Sequence, residues 1–459
     1  MSTPDPLAQR AANILSTLVR IPTVSRGAGE DEPRDEEAFV AHAAAIEASF
    51  PLLAAACERF TVGTTGILWR WAGTEPRRAV VMAAHQDVVP AAAEDGWSED
   101  PFSGTIRDGR LFGRGTLDDK GDLVCKLLAA ETLLEAGFAP APDVWFFLGD
   151  GEEVSGPAAE EAVYFLRQRG VRPELVMDEG GVIAEGAFPG VGTPQAVIGL
   201  GEKGLLSVRL TTRSGGGHAS FPPRWGAIDR LSRALMRIHS RPFPPSLHPV
   251  TARLLGVLAG QAKGPMALAL RAAASSGPVG AALLARLGGE AAAMARTTVA
   301  FTRLAGGEAN NVLAPRADAV LNLRLAPWDS VDSALRRLRK VIRDKQVELE
   351  VLEAGEPSPV SPLDTPQLES VRAALAVSHP EATLAPYITI AATDARHFHA
   401  ICENVYRLAP LLVDGPGRAS IHGVDESVAV SELGRGTVFY RELLGNYDDL
   451  SPAGGKVRG

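Results

Sequence analysis

The chain has 459 residues, 46% of them hydrophobic and 22% charged; at roughly 150 residues per domain this is apolar material for two or three cores and excludes global disorder. Lys and Arg number 46 against 55 Asp and Glu, a formal net charge of −9, and without basic runs such a chain binds a phosphate backbone poorly, which excludes nucleic acid as the main partner. No apolar stretch approaches the roughly 20 residues that span a bilayer, so no membrane partner is expected.

The opening segment, MSTPDPLAQRAANILSTLVRIP, has no basic stretch followed by an apolar block, so export by the usual route is not expected. Leu7, Ala11, Ile14, Leu15 and Leu18 recur at helical spacing and predict a helix over about 6–20. The charged run RGAGEDEPRDEE, from Arg26, reads as a solvated loop entering a second helix. An α/β rhythm follows. Short apolar runs at Ala79–Ala84, Val144–Leu148 and Leu175–Met177 alternate with helical segments, notably Asp122–Ala136, stopped by Gly137. Buried strands alternating with helices predict a mostly parallel sheet with helices on both faces.

Near Gly201 the texture changes. LLSVRLTTR (205–213) and AVLNLRLA (319–326) alternate apolar and polar residues, as strands of a sheet with one wet face do. Between them lie a helix carrying Ile228, Leu231, Leu235 and Ile238 and an Ala-rich stretch at about 250–300. A further helix after Ser330 carries Val331, Leu335, Leu338 and Val341. The α/β style returns from about 357 and ends in a Gly/Lys-rich, frayed tail after Pro452. The expected organisation is an α/β domain of residues 1–201 and 356–459, interrupted by an inserted α+β domain at 202–355. Cys57, Cys125 and Cys402 are far apart and odd in number, which reads as buried thiols in a reducing, cytoplasmic compartment.

Acidic and histidine residues cluster just after the expected strands. His85 and Asp87 follow AVVMAA, Asp118-Asp119 follows GRGTL, Glu152-Glu153 follows VWFFLGDG, and Asp178-Glu179 follows ELVM; His422 lies in the Gly-rich loop GPGRASIHGVDES. Taken singly, each has a plain reading: a hydrogen-bonded histidine, a helix cap, a solvated face, a turn, a braced loop. Together they occupy one topological place, the carboxyl edge of the sheet, where residues far apart in sequence converge. Mixed His and carboxylate ligands suit zinc or a similar divalent ion, and two ions about 3.5–4 Å apart need a bridging carboxylate.

The runs HQDVVP (85–90), W…PFSG…GRGTLDDKG (97–121), GEEVSG (151–156), DEGG (178–181), GEKG (201–204) and GGGHAS (215–220) resemble, in this order, the M20 metallopeptidases, most of all the carboxypeptidase S and aminoacylase-like branch. The resemblance spans about residues 10–445. It implies two divalent metal ions, most simply Zn2+ with Co2+ or Mn2+ as alternatives. Asp118 would bridge them, His85 with one acid of Asp178/Glu179 would complete one ion, and Glu153 with His422 the other. Asp87 would accept a proton from His85 and fix its ring, Glu152 would be the general base, and the Asp118–Asp119 bond would be cis. The inserted domain would be a lid and dimerisation domain. Its His218 would stabilise the oxyanion, by resemblance across a homodimer interface, while Asn311 and Arg324 would bind substrate. Backbone amides at Gly415–Gly417 would add donors for the substrate carboxylate, and the side chain of Asp394 would help shape the pocket. Relatives often have Asp immediately before the paired glutamates; this chain has Gly151, with Asp150 one place earlier.

The implied reaction is hydrolysis of an amide or peptide bond beside a free carboxylate, in a small peptide or an N-acyl amino acid. Glu152 would take a proton from water and return it to the leaving nitrogen. A catalytically silent small-molecule binding protein on the same scaffold is the alternative, against which the intact Glu152 stands.

Overall fold

Strands buried on both faces need apolar residues on both, and two central strands of this protein show it. In the computed structural model, which describes residues 5–27, 33–188 and 190–447, the strand Ala79–His85 sends Val80, Met82 and Ala84 into one core and Ala79, Val81 and Ala83 into another. The strand Asp143–Gly149 divides likewise, with Val144, Phe146 and Leu148 on one side and Trp145 and Phe147 on the other. Helices Pro6–Val19, Lys120–Glu135, Pro366–Ser378 and Val430–Gly445 supply the first core, while Ala158–Gln168 and Ala395–Phe398 supply the second.

Eight strands form this sheet, in the order Cys57–Val62, Gly66–Trp71, Asp143–Gly149, Ala79–His85, Leu175–Ala184, Val405–Val413, Gln195–Glu202 and Thr383–Thr389. The four central strands pair in parallel, as do the last two; the first two are antiparallel. The fold is therefore α/β with a mostly parallel sheet covered on both faces, as expected. Two local readings need correction. Helix Lys120–Glu135 starts two residues earlier than its periodicity suggested, and the strand expected to stop at Met177 runs on to Ala184, so that Asp178 and Glu179 lie inside it.

A separate four-stranded antiparallel sheet orders Thr298–Gly306, Arg316–Leu325, Gly204–Arg213 and Val347–Gly355. Its alternation has the expected cause: Leu206, Val208, Leu210, Leu321, Leu323 and Leu325 face helices Ala227–His239 and Val331–Ile342, and the opposite face carries the polar residues. The Ala-rich stretch forms four short helices, Pro249–Gln261, Gly264–Ser275, Gly277–Leu287 and Gly289–Ala295. Leu254 and Leu258 of the first pack against Ala385 and Tyr387 on the edge strand of the main sheet. The tail after Pro452, expected to fray, and part of the charged run from Arg26 lie outside the described residues.

The chain passes between the two sheets at Glu202–Gly204 and returns at Gly355–Ser358. Glu202 secures both crossings. Its backbone N–H donates to Ser358 Oγ at 2.8 Å, and its buried carboxylate accepts from the Thr393 N–H at 3.0 Å, the Thr393 hydroxyl at 2.6 Å and the Arg407 guanidinium. Removing one partner of a buried ion pair strands the other, at a cost of about 3–5 kcal/mol. Arg407→Met is expected to lose that much stability in urea unfolding; a loss below about 1 kcal/mol, the scale of an exposed pair, would exclude a structural role for it.

Candidate metal centre and active site

Each functional side chain sits at the end of an element whose core residues fix it. His85 is the last residue of its strand, Asp118 precedes the helix that opens at Lys120, and Glu152-Glu153 form a single helical turn after Asp143–Gly149. His422 follows the short helix Gly415–Ser420 in a left-handed backbone conformation, φ 59°, uncommon for a non-glycine residue and frequent at functional positions. The Asp118–Asp119 peptide is cis.

These ends meet at Asp118. One of its oxygens lies 2.9 Å from His85 Nε2 and the other 3.0 Å from His422 Nε2, which is also 3.1 Å from Glu153. His85 Nε2, Asp118 and Glu153 offer ligand atoms within 4.8 Å of one another. His85 Nδ1 is 2.9 Å from the main-chain carbonyl of Asp87, so the ring donates there and leaves Nε2 free to bind a cation. The Asp87 carboxylate, expected to take this proton, has its nearer oxygen 3.5 Å from the same nitrogen. That carboxylate also accepts the backbone N–H groups of Glu152 and Glu153, at 3.1 and 3.2 Å, and holds their turn.

The two acids left open in DEGG point to different neighbours. Glu179 lines a cavity with Asp118 and His422, and burial, reinforced by the charges of Asp118 and Glu152, raises its pKa well above the usual carboxylate range. Asp178 is buried beside the helix, where its charge is felt by Asp122 and Lys126, and its Oδ2 has no hydrogen-bond partner. Asp394 is buried near Glu152 and Asp178.

The electrostatics are those of an anionic pit. Burial, then the neighbouring carboxylates Asp394, Asp118 and Glu153, push Glu152 upward against the pull of His85. Contact with Asp118 and then Glu153 pushes His422 up to about 10. Burial draws the His85 pKa down, but Asp118 and Asp87 raise it well above the imidazole range. Burial also opposes ionisation of Asp118, yet its bonds to His422 and His85 hold it below the carboxylate range. Five acids (Asp118, Glu152, Glu153, Glu179 and Asp394) thus crowd two imidazoles. The donor set and its excess negative charge fit divalent cations.

His218, Asn311 and Arg324 do not join this cluster. His218 is exposed on a two-residue ribbon paired with Val312–Leu313, its Nδ1 bonded to Ser220. Asn311 stands beside it, its carbonyl accepting the Ala219 N–H. Arg324 lies on the face of the second sheet away from its helices, near Lys203. The expected amides at Gly415–Gly417 belong to a helical turn, where the Gly417 N–H is taken by the Asp414 carboxylate at 2.8 Å. Gly151 is extended, φ −170°, and Asp150 faces away, accepting from Thr65 and Arg34.

Two participants have no signature in the local sequence. Glu426, fully buried, accepts the Gly115 and Leu117 N–H groups at 3.1 and 2.8 Å and pairs with Arg114 at 2.7 Å, fixing the loop that delivers Asp118. Arg418 lines the cavity beside His422, and its Nε is buried without a hydrogen-bond partner. The cavity, about 410 Å³, is walled by Val182, Ala184, Phe188, Val197 and Ile421.

The family model for peptidase family M20/M25/M40 matches residues 81–446. The chain belongs to this family. Among curated M20 relatives, a protein named probable carboxypeptidase S-like 2 of Dictyostelium discoideum is 30% identical over 448 residues, covering 96% of this chain and 85% of the relative. The mouse (Mus musculus) protein named N-fatty-acyl-amino acid synthase/hydrolase PM20D1 is 32% identical over 447 residues, covering 95% and 87%. Among solved structures, the M20 metallo-carboxypeptidase Sso-CP2 of Sulfolobus solfataricus shares the fold with TM-score 0.71 at 18% identity, covering 95% of this chain and 99% of that one. Human carnosine dipeptidase 1 does so with TM-score 0.64 at 17% identity, covering 96% and 98%. As an M20 member the protein is a metal-dependent hydrolase of amide or peptide bonds.

The cavity distinguishes the DEGG acids in a measurable way. Glu179→Gln is expected to weaken metal retention by at least about 10–100-fold, the loss seen even for outer partners of a metal site, whereas Asp178→Asn retains it. Metal analysis of dialysed protein checks both, and the opposite pattern would assign Asp178.

Proposed function

We propose that the protein is a dinuclear hydrolase that releases a carboxylate-bearing amino acid from an apolar N-acyl group. The observation that carries this reading is Asp118 presenting one oxygen to each imidazole, as a carboxylate shared between two cations must. In this assignment His85 and Glu179 hold one ion, His422 and Glu153 the other, and zinc suits the mixed donors. Bound there, such ions lower the pKa of water toward neutrality and polarise a carbonyl.

The side chains do the rest. Glu152 is left outside the imidazole–carboxylate contacts while its backbone is fixed by Asp87. It takes a proton from the attacking water and returns it to the leaving nitrogen. Cations held in the cluster would oppose the upward push that burial and the neighbouring acids exert on its proton affinity. The walls at Val182, Phe188, Val197 and Ile421 support an acyl chain, and Arg418 supports the free carboxylate. The relatives' names, carboxypeptidase S-like and N-fatty-acyl-amino acid synthase/hydrolase, support the same two substrate halves.

Exposed His218, with Asn311 at its side, supports a homodimer in which this ribbon serves the partner's site and Arg324 contributes from the lid. The exposed edge strand Thr298–Gly306, with Leu304 outward, offers a surface for that contact. Widely spaced thiols support a reducing, cytoplasmic setting.

Glu152→Gln is expected to keep its metal and lose about 10²–10⁴-fold in turnover of N-acyl amino acids, with rates on the parent enzyme rising with acyl length and exceeding those on dipeptides. Unchanged turnover with metal bound would remove Glu152 as base, and a preference for dipeptides would reassign the substrate. Mixing inactive His218→Ala with inactive Glu152→Gln is expected to restore about a quarter of the parent rate through mixed dimers; no recovery, with mixed dimers verified, would confine His218 to its own chain.

A further inference from the structure

The Ala-rich helices differ from the rest of the surface in two ways at once. Residues 249–296 carry Arg253, Lys263, Arg271, Arg286 and Arg296 against one acid, Glu290, in a chain whose net charge is −9. They also expose apolar side chains in register. On Gly277–Leu287, Gly280, Ala281 and Leu284 are buried, while Val279, Leu283 and Leu287 stand outward four residues apart, on one stripe, with Arg286 at its margin. On Gly264–Ser275 only Ala267 and Ala273 are buried; Leu268 is 70% exposed and Arg271 lies one turn further on. Among the described residues, Arg253, Lys263, Arg271 and Arg286 have no ion-pair partner. A helix pair built for solvent would reverse this pattern, placing mixed charges outside and leucines inside.

The same group of helices reaches the catalytic cavity through its last member: Glu290, on Gly289–Ala295, lines the cavity and accepts the hydroxyl of Tyr387, another lining residue, at 3.0 Å, while Leu270 of Gly264–Ser275 packs against the apolar cluster that contains Tyr387. One part of the group thus reaches the substrate site, and another presents leucines flanked by unpaired cations.

We infer that helices Gly264–Ser275 and Gly277–Leu287 dock on the surface of an anionic lipid bilayer. The leucine stripe enters the acyl boundary and the arginines meet the headgroups. The expectation of no membrane partner rested on the lack of a spanning segment, and no helix among the described residues is long and apolar enough to cross a bilayer. Surface docking needs less: an apolar stripe, a basic margin and anionic lipid. A negative protein overall is held off such a surface except through this patch, so the charge asymmetry also sets the orientation. Uptake of a lipid-borne acyl substrate rests on the proposed function; docking itself does not.

The test is sedimentation of the full chain with vesicles of phosphatidylcholine alone or mixed with phosphatidylglycerol, read without any turnover assay. Binding is expected to the mixed vesicles only and to weaken with added salt. The double variant Leu283→Asp/Leu287→Asp, and separately Arg271→Glu/Arg286→Glu, should each bind at least about tenfold less while melting as the parent does. Neither pair lines the catalytic cavity, so hydrolysis of a short-chain soluble substrate should stay unchanged. Failure of the parent to sediment, or equal sedimentation of both variants, overturns the inference. Conversion of a parent dimer to monomer by Leu283→Asp/Leu287→Asp, seen by light scattering, would assign the stripe to a second copy of the chain and overturn it equally. If docking holds and hydrolysis of N-acyl amino acids does not, the failure lies with the proposed substrate.

Discussion

Asp118 shares its two oxygens between His85 and His422, and Glu153, Glu179, Glu152 and Asp394 press in around them. Buried carboxylates in such number repel one another and resist ionisation, so the arrangement makes physical sense only around positive charge that two imidazoles cannot supply alone. Much of the surrounding structure serves to hold these groups where they would otherwise not stay. Asp87 clamps the Glu152–Glu153 turn by its backbone, Asp119 accepts the His85 N–H at 3.1 Å, and Glu426 draws three backbone N–H groups of the Asp118 loop onto one carboxylate. The cluster is thus fixed largely by hydrogen bonds from main chain to side chain, which leave the ligand atoms free.

The same logic sets the cluster apart from the residues of the insertion that were expected to serve it. The cluster of acids and imidazoles sits at the edge of the main sheet, whose strands are buried on both faces. Arg324 sits on the second sheet, and His218 and Asn311 on the small ribbon beside Val312–Leu313, all within the insertion whose chain crosses at Glu202–Gly204 and Gly355–Ser358. The buried Glu202–Arg407 pair lies at that seam, which gives a costly internal salt bridge a positional purpose: it defines where one sheet ends and the other begins.

How much of this was legible in the sequence depends on how local each determinant is. Period-two alternation at 205–213 and 319–326 revealed strands because a sheet with one wet face writes its geometry directly into composition. The helix over 6–20 was equally plain. The strand through Asp178 was read too short because DEGG interrupts its apolar run with charge, glycine supplying the close backbone approach: a Cβ at Gly181 would lie 2.2 Å from the Val197 carbonyl oxygen. The helix at Gly415–Ser420 was missed because GPGRAS carries turn residues. Grouped acids after strands pointed to the cluster and the family motifs sharpened it, yet the choice between Asp178 and Glu179 needs the facing of each side chain on its strand. Glu426 and Arg418 were invisible, since nothing near them in sequence announces contacts with residues 115–118 or with a cavity formed by strands hundreds of positions away.

His422 arrives 337 residues after His85, on the far side of the entire inserted domain. During synthesis the ribosome must therefore release more than four hundred residues before the pit can close, and until then the early carboxylates lack the imidazole that completes their set. The nascent main sheet waits, unfinished, while the insertion is being made; its last parallel strand, Val405–Val413, and the second histidine follow in close succession. Completion of the fold and completion of the cluster are in this way the same late event.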